Sequence, residues 1–278
     1  MEHQVESKHA KIASVGKIIA ITNQKGGVGK TTTAINLAAS LAANDLRVLV
    51  IDSDPQGNAT TGLGVEKLPE TKTLYDALVN QADVESAIVK TPCEGLDLLP
   101  SDKNLVAANL DLYDLENREH RLTELLSSVR DRYDYILIDC PPALDLLTVN
   151  ALVAADSVLV PIQCEFFALE GLSQLIDTVD RIRETFSRPL PLEGILLTMY
   201  DERTSLTRQV AGDLKEFFET DVLETVIPRS VRLAEAPSYG KPILLYDPRS
   251  KGAESYIRLA KEILNNEQRK RQAAESTR

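Results

Sequence analysis

The chain of 278 residues has no tryptophan, three cysteines and only 5% aromatic residues. Its core must therefore be filled by Leu, Ile, Val and Ala. Cys93, Cys140 and Cys164 are odd in number and form no close pair. That argues against a disulfide framework and against a Cys-x-x-Cys metal site, and leaves them as small buried hydrophobes. No apolar run approaches the roughly 18 residues of a membrane span. The start, Met1-Glu-His-Gln-Val-Glu-Ser-Lys-His9, lacks the apolar stretch of a signal peptide, so residues 1–16 read as a polar extension and the protein as cytoplasmic. Excess positive charge is missing too. The net charge of −11 argues against generic adhesion to nucleic acid. From Tyr200 onward, however, 14 Lys/Arg stand against 13 Asp/Glu, which leaves room for a local basic surface in the C-terminal third.

What is present is a regular alternation of strand and helix. Short runs rich in Val, Ile and Leu predict strands over 18–22, 47–51, 96–99, 135–138, 157–162, 194–198 and 222–227. Runs this continuous suit strands covered on both faces. Apolar residues at helical spacing predict helices over 32–43, 73–80, 105–114, 118–130, 145–155, 169–186, 206–220 and 253–265. The pattern predicts an α/β fold, a single-domain, doubly wound, mainly parallel sheet flanked by helices, over residues 17–265. Residues 266–278 read as a polar tail that frays.

The most informative stretch is Asn23-Gln-Lys-Gly-Gly-Val-Gly-Lys-Thr-Thr-Thr33, between the first strand and the first helix. Backbone N–H groups of such a turn and of the helix start converge on one point, where a phosphate binds. Gly26, Gly27 and Gly29 let the chain curl around an anion, with Val28 between them. Lys30 reaches the outer phosphates, and the Thr31 hydroxyl can ligate Mg²⁺, with Thr32 next in the helix. The ordinary phosphate-loop pattern places a glycine six residues before the lysine, where this chain has Gln24. Lys25 stands at the front of the loop instead. It has no easy place beside Lys30 and is expected to face outward, toward the phosphates of a second copy.

Ligands of open parallel sheets lie beyond the carboxyl ends of the strands. Two apolar strands end there in acids. Val48-Leu-Val-Ile runs into Asp52-Ser-Asp54-Pro-Gln-Gly-Asn58, and Tyr135-Ile-Leu-Ile runs into Asp139-Cys-Pro-Pro142. A carboxylate delivered beside a phosphate loop suits Mg²⁺ coordination through water, so Asp52 and Asp139 are candidates for that role. Asp54, followed by Pro55 and Gly57, is the candidate for holding an attacking water in a loop that orders around the γ-phosphate. Each acid also has a plainer reading, as a helix cap or a turn former.

Together these motifs resemble the deviant-Walker-A ATPases, and most closely the ParA/Soj chromosome-partitioning ATPases of the ParA/MinD superfamily. The stretches Gln163-Cys-Glu-Phe-Phe-Ala-Leu-Glu-Gly-Leu172, Leu197-Thr-Met-Tyr-Asp-Glu-Arg-Thr204, Ile227-Pro-Arg-Ser-Val-Arg-Leu-Ala-Glu-Ala-Pro237 and Gly240-Lys-Pro-Ile-Leu-Leu-Tyr-Asp-Pro-Arg249 extend the resemblance over residues 16–265. It implies ATP and Mg²⁺ as cofactors and an ATP-sandwich homodimer in which Lys25 crosses to the partner's nucleotide. It further implies a hydrolytic Asp54 and non-specific DNA binding through Arg203 and Arg232. Met199, Pro228 and Arg229 would lie near the base. A ParB-like centromere-binding protein would stimulate hydrolysis, and the molecule would associate with the nucleoid. Larger plasmid relatives carry a helix-turn-helix domain ahead of the ATPase, whereas about 16 residues precede the first strand here, so sequence-specific operator binding is not expected. The alternative on the same fold is a MinD-like membrane-associated regulator. It needs a basic amphipathic C-terminal helix, but the stripe of Tyr256, Leu259, Ile263 and Leu264 is better suited to docking on the core. An iron–sulfur electron donor would need two suitably placed cysteines per chain, which Cys140 alone does not supply.

Overall fold

The computed structural model describes residues 15–276, so most of the 1–16 extension and the last two residues of the tail lie outside them. A seven-stranded sheet runs in the order β3-β4-β2-β5-β1-β6-β7. Its strands are β1 (Lys17–Ile21), β2 (Val48–Asp52), β3 (Val89–Lys90), β4 (Leu96–Leu99), β5 (Tyr135–Asp139), β6 (Ser157–Gln163) and β7 (Leu192–Thr198). All pairings are parallel except the short β3–β4 edge. The helices are α1 (Lys30–Ala42), α2 (Asn58–Gly62), α3 (Leu74–Leu78), α4 (Val84–Ala87), α5 (Ala108–Asp111), α6 (Arg121–Ser127), α7 (Leu146–Ala154), α8 (Ala168–Thr185), α9 (Ser205–Phe218), α10 (Val231–Glu235), α11 (Ile243–Tyr246) and α12 (Lys251–Ser276). This is the doubly wound sheet the alternation predicts.

Successive strand residues point to opposite faces, and here both faces are buried. Ile18 and Ala20 join Leu49, Ile51, Ile136 and Ile138 in one core, under α7 and α8. Ile19 and Ile21 join Val48, Val50 and Leu137 in the other, under α1 and α12. Cys93, Cys140 and Cys164 are all buried. Register then places the chemistry. Ile21 pairs with Asp139 across β1–β5, and Asp139 pairs with Asp52 across β5–β2. The exit of β1 into the phosphate loop and both acids therefore share one row at the carboxyl edge.

Three predictions need correction. Residues 222–227 are not a strand. They meet the sheet through isolated bridges, Ile195 to Val222 and, just past the segment, Tyr200 to Pro228, with Ile227 N also donating to the Leu197 carbonyl at 2.8 Å. Between them the backbone N–H groups of Glu224 and Thr225 donate to the Glu262 carboxylate of α12, at 2.7 and 3.0 Å, so the ladder is broken by a side chain that satisfies it better. The last helix also does not stop at residue 265. Lys17 Nζ bridges Glu193 (2.7 Å) and Glu267 (2.5 Å), and Arg271 Nε pairs with Glu267 at 3.1 Å, which ties the continuation of α12 to the base of the sheet. The predicted helix over 105–114 is shorter, a 3₁₀ turn (Lys103–Ala107) leading into α5.

Candidate nucleotide site

The loop after β1 is held at three points. Asn23 Nδ2 donates to the Pro161 carbonyl at 2.8 Å, and Lys25 N donates to Asn23 Oδ1 at 2.9 Å. The single proton of the Thr198 hydroxyl lies within reach of both the Val28 carbonyl (2.8 Å) and the Ile162 carbonyl (3.1 Å), fixing the loop to β7. Gly27 and Gly29 have φ of 75° and 90°, the left-handed region that side chains resist. Gly29 is the cap of α1, so Lys30 and Thr31 occupy its first turn, where unpaired N–H groups and the helix dipole favour an anion. Removing the Thr198 tether should be measurable. Thr198→Val removes the one proton that the Val28 and Ile162 carbonyls share and is expected to lower unfolding stability by about 1–2 kcal/mol in a denaturant titration, with unchanged stability contradicting the tether.

Lys30 is only 7% exposed and its ammonium donates to the Lys25 carbonyl at 3.0 Å. Burial lowers its pKa, opposed by the carboxylates of Asp139 and Asp54. A cation desolvated in this way is held ready for a stronger anionic partner. Lys25 stands apart. Its side chain is 47% exposed and its ammonium pairs with Glu165, in the loop between β6 and α8.

The two strand-end acids differ in what they already hold. Asp52 Oδ2 accepts from Thr60 N and Thr60 Oγ1, both at 2.7 Å, so it organises the start of α2. Burial nevertheless pushes its pKa up to about 6. Asp139 is fully buried and neither of its carboxylate oxygens has a hydrogen-bond partner among the described residues. Burial and the neighbouring Asp52 charge raise its pKa well above the usual carboxylate range, while Thr31 and Lys30 act in the opposite sense. An orphaned carboxylate beside a threonine hydroxyl and a second acid fits a hydrated divalent cation, which would satisfy both oxygens. Asp54 is half-buried. Its Oδ1 accepts from Gln56 N at 2.9 Å, and its backbone carbonyl accepts from Ser101 Oγ at 2.8 Å and from Gly57 N at 2.8 Å.

Beside Gly29 and Thr32 lies a cavity of about 170 Å³, lined also by Met199, Pro228, Arg229 and Tyr256. The three residues expected near a base are thus brought against the start of α1, with Met199 at a φ of 49°. Thr198 and Tyr256 were missed. Thr198 is the last residue of a predicted strand, and Tyr256 belongs to an apolar helical stripe, so neither carried a local signal. Arg203 and Arg232 lie outside this site. Arg203 binds Asp201 through Nε (2.8 Å) and Nη2 (2.7 Å), a fork that holds the Asp201 carboxyl down to about 2. Arg232 pairs with Glu235 at 3.0 Å and Asp247 at 3.6 Å.

The family model described as an AAA domain matches residues 16–192. The sporulation initiation inhibitor protein Soj of Bacillus subtilis is 56% identical over 252 residues, covering 91% of this chain and 100% of that one. The chromosome partitioning protein ParA of Myxococcus xanthus is 51% identical over 255 residues, covering 92% and 90%. This chain belongs to the ParA/Soj family of partitioning ATPases. The ParA/Soj sheet and loop have solved counterparts. A Mycobacterium smegmatis structure described as cobyrinic acid a,c-diamide synthase with bound ADP and magnesium matches with a TM-score of 0.80 and 36% identity, over 91% of this chain and 96% of that one. Among the described residues no helix is long and apolar enough to cross a membrane.

Proposed function

We propose that this ParA/Soj-family ATPase is a dimerisation switch. It closes two copies around ATP, binds DNA non-specifically in that state, and lets go after hydrolysis, in chromosome or plasmid segregation with a ParB-like partner. The observation that carries the reading is the unpaired, buried Asp139 carboxylate beside Lys30 and Thr31 at the N-terminus of α1, with the second lysine held outside. The backbone of residues 26–32 and Lys30 hold the phosphates. Met199, Pro228 and Arg229 close over the base, in the cavity beside Gly29 and Thr32. Thr31 would hold Mg²⁺ directly, with Asp52 and Asp139 acting through water. Bound there, the ion neutralises charge on the outer phosphates. Asp54 orients the attacking water.

Lys25 supplies the link between copies. Its partner Glu165 is 43% exposed, so their ion pair is solvent-screened and weak compared with a phosphate contact. Exchanging Glu165 for the nucleotide of a second copy is therefore a small step. Stimulation by DNA and by the partner protein acts on the closed form.

DNA contact falls to Arg203 and Arg232, both paired to carboxylates in the free chain. Phosphates must displace those carboxylates, which makes binding weak per site and salt-sensitive. Arg203→Glu is expected to cut DNA retention with ATP by more than about tenfold at moderate salt, with dimerisation unchanged. Retention equal to wild type would remove Arg203 from the DNA face. The function as a whole is tested by DNA binding with ATP, with ADP and without nucleotide. Only the ATP sample should bind.

A further inference from the structure

Asp54 belongs to a closed ring of hydrogen bonds drawn from three separate stretches of the chain. Its backbone N–H donates to Asp52 Oδ1 at 3.3 Å, and its carbonyl accepts from Ser101 Oγ at 2.8 Å. Ser101 lies just past the end of β4, and its own N–H donates to Thr60 Oγ1 at 2.9 Å. The Thr60 hydroxyl, in α2, donates to Asp52 Oδ2 at 2.7 Å and closes the ring. Chemistry fixes each direction. An amide N–H only donates and an ionised carboxylate only accepts, so the Thr60 hydroxyl must donate to Asp52. The Ser101 hydroxyl likewise must donate to the Asp54 carbonyl.

Asp52, Thr60 and Ser101 are all fully buried. Hydrogen bonds shielded from water in this way stiffen one another, and a fully bonded network holds its members in one arrangement. Two further contacts anchor the ring. Thr60 N adds a second bond to Asp52 Oδ2 at 2.7 Å, and Leu74 N donates to the Pro100 carbonyl, next to Ser101, at 2.8 Å. On the loop side, Gly57 N shares the Asp54 carbonyl, and Lys67 Nζ donates to the Gln56 carbonyl at 2.9 Å. Gly57 has a φ of 61°, and a Cβ there would come within 2.8 Å of the Ser101 carbonyl. The ring therefore grips both backbone groups of Asp54 and leaves its carboxylate outside.

We propose that Thr60 and Ser101 are positioning residues for hydrolysis, whose hydroxyls hold the Asp54 backbone where its carboxylate can meet the attacking water. The proposal rests on the reading of Asp54 as the group that orients that water. Groups that orient a reactant must be held to within about 0.5 Å, and a misplacement of about 1 Å costs up to a hundredfold in rate. Neither Thr60 nor Ser101 belongs to the phosphate loop, so nucleotide affinity does not depend on them. Their contribution falls on turnover alone.

The test compares Ser101→Ala, Thr60→Val and Thr60→Ser in the full chain. Single-turnover hydrolysis of ATP with Mg²⁺ is read beside titration with a fluorescent ATP analogue and a melting curve. Ser101→Ala and Thr60→Val should each slow hydrolysis by about tenfold or more at unchanged analogue affinity. Thr60→Ser keeps the hydroxyl and loses only a buried methyl, so it should turn over like the wild type even if it melts earlier. Combined with Asp54→Ala, Ser101→Ala should slow hydrolysis no further, because it acts through the missing carboxylate. Without nucleotide, amide hydrogen exchange over residues 53–57 should quicken in Ser101→Ala. Wild-type turnover in both Ser101→Ala and Thr60→Val overturns the proposal. So does equal slowing by Ser101→Ala with and without the Asp54 carboxylate, or a rate that follows melting temperature across the three variants. Wild-type turnover in Asp54→Ala alone removes the reading of Asp54 and this proposal with it. A slow Asp54→Ala beside an unaffected Ser101→Ala removes this proposal alone.

Discussion

Lys30→Ala is expected to weaken ATP binding by about a hundredfold or more, read by titration with a fluorescent ATP analogue. The ammonium is buried at the start of α1, where the backbone N–H groups bring the phosphates in but cannot neutralise them. Removing one member of a desolvated charge pair costs on the order of 3 kcal/mol, which is that hundredfold. The same substitution should spare the free protein. Burial already lowers the pKa of Lys30, so its charge is a burden on the empty fold rather than a support, and the melting temperature should hold or rise. Unchanged nucleotide affinity would refute the assignment of the phosphate loop.

Asp54→Ala should separate binding from turnover. The backbone of Asp54 is anchored through its carbonyl by Ser101 and Gly57, and neither contact uses the side chain. The carboxylate gives up only a bond from Gln56 N at the exposed side of the loop. The variant should therefore fold and bind ATP like the wild type. Losing the group that orients water should slow hydrolysis by about a hundredfold or more. Wild-type turnover in Asp54→Ala would remove this residue from the mechanism.

Much of the site was legible because its signals are local. Glycines at positive φ, a lysine and a threonine in the first turn of a helix, and acids ending apolar strands all follow from residue order and strand ends. The parallel sheet was legible from the run lengths, and its register then placed Asp52 and Asp139 side by side. What the sequence hid are contacts made over long separations. Nothing near Lys25 shows that Glu165 holds it, and nothing near residues 222–227 shows that Glu262 takes their backbone donors. The helix end predicted at residue 265 fell short for a similar reason, because Lys17 lies at the other end of the chain from Glu267. Asp52 and Asp139 looked equivalent in sequence. Only the fold distinguishes an acid spent on Thr60 from one whose oxygens are unpaired.

Closure of two copies through Lys25 is tested most directly by the mass of the hydrolysis-slowed Asp54→Ala chain in light scattering, with Mg²⁺ and either ATP or ADP. A dimer with ATP, a monomer with ADP, and a monomer under both once Lys25→Ala is added are the predicted results. A monomer with ATP, or a dimer that persists without Lys25, would contradict it.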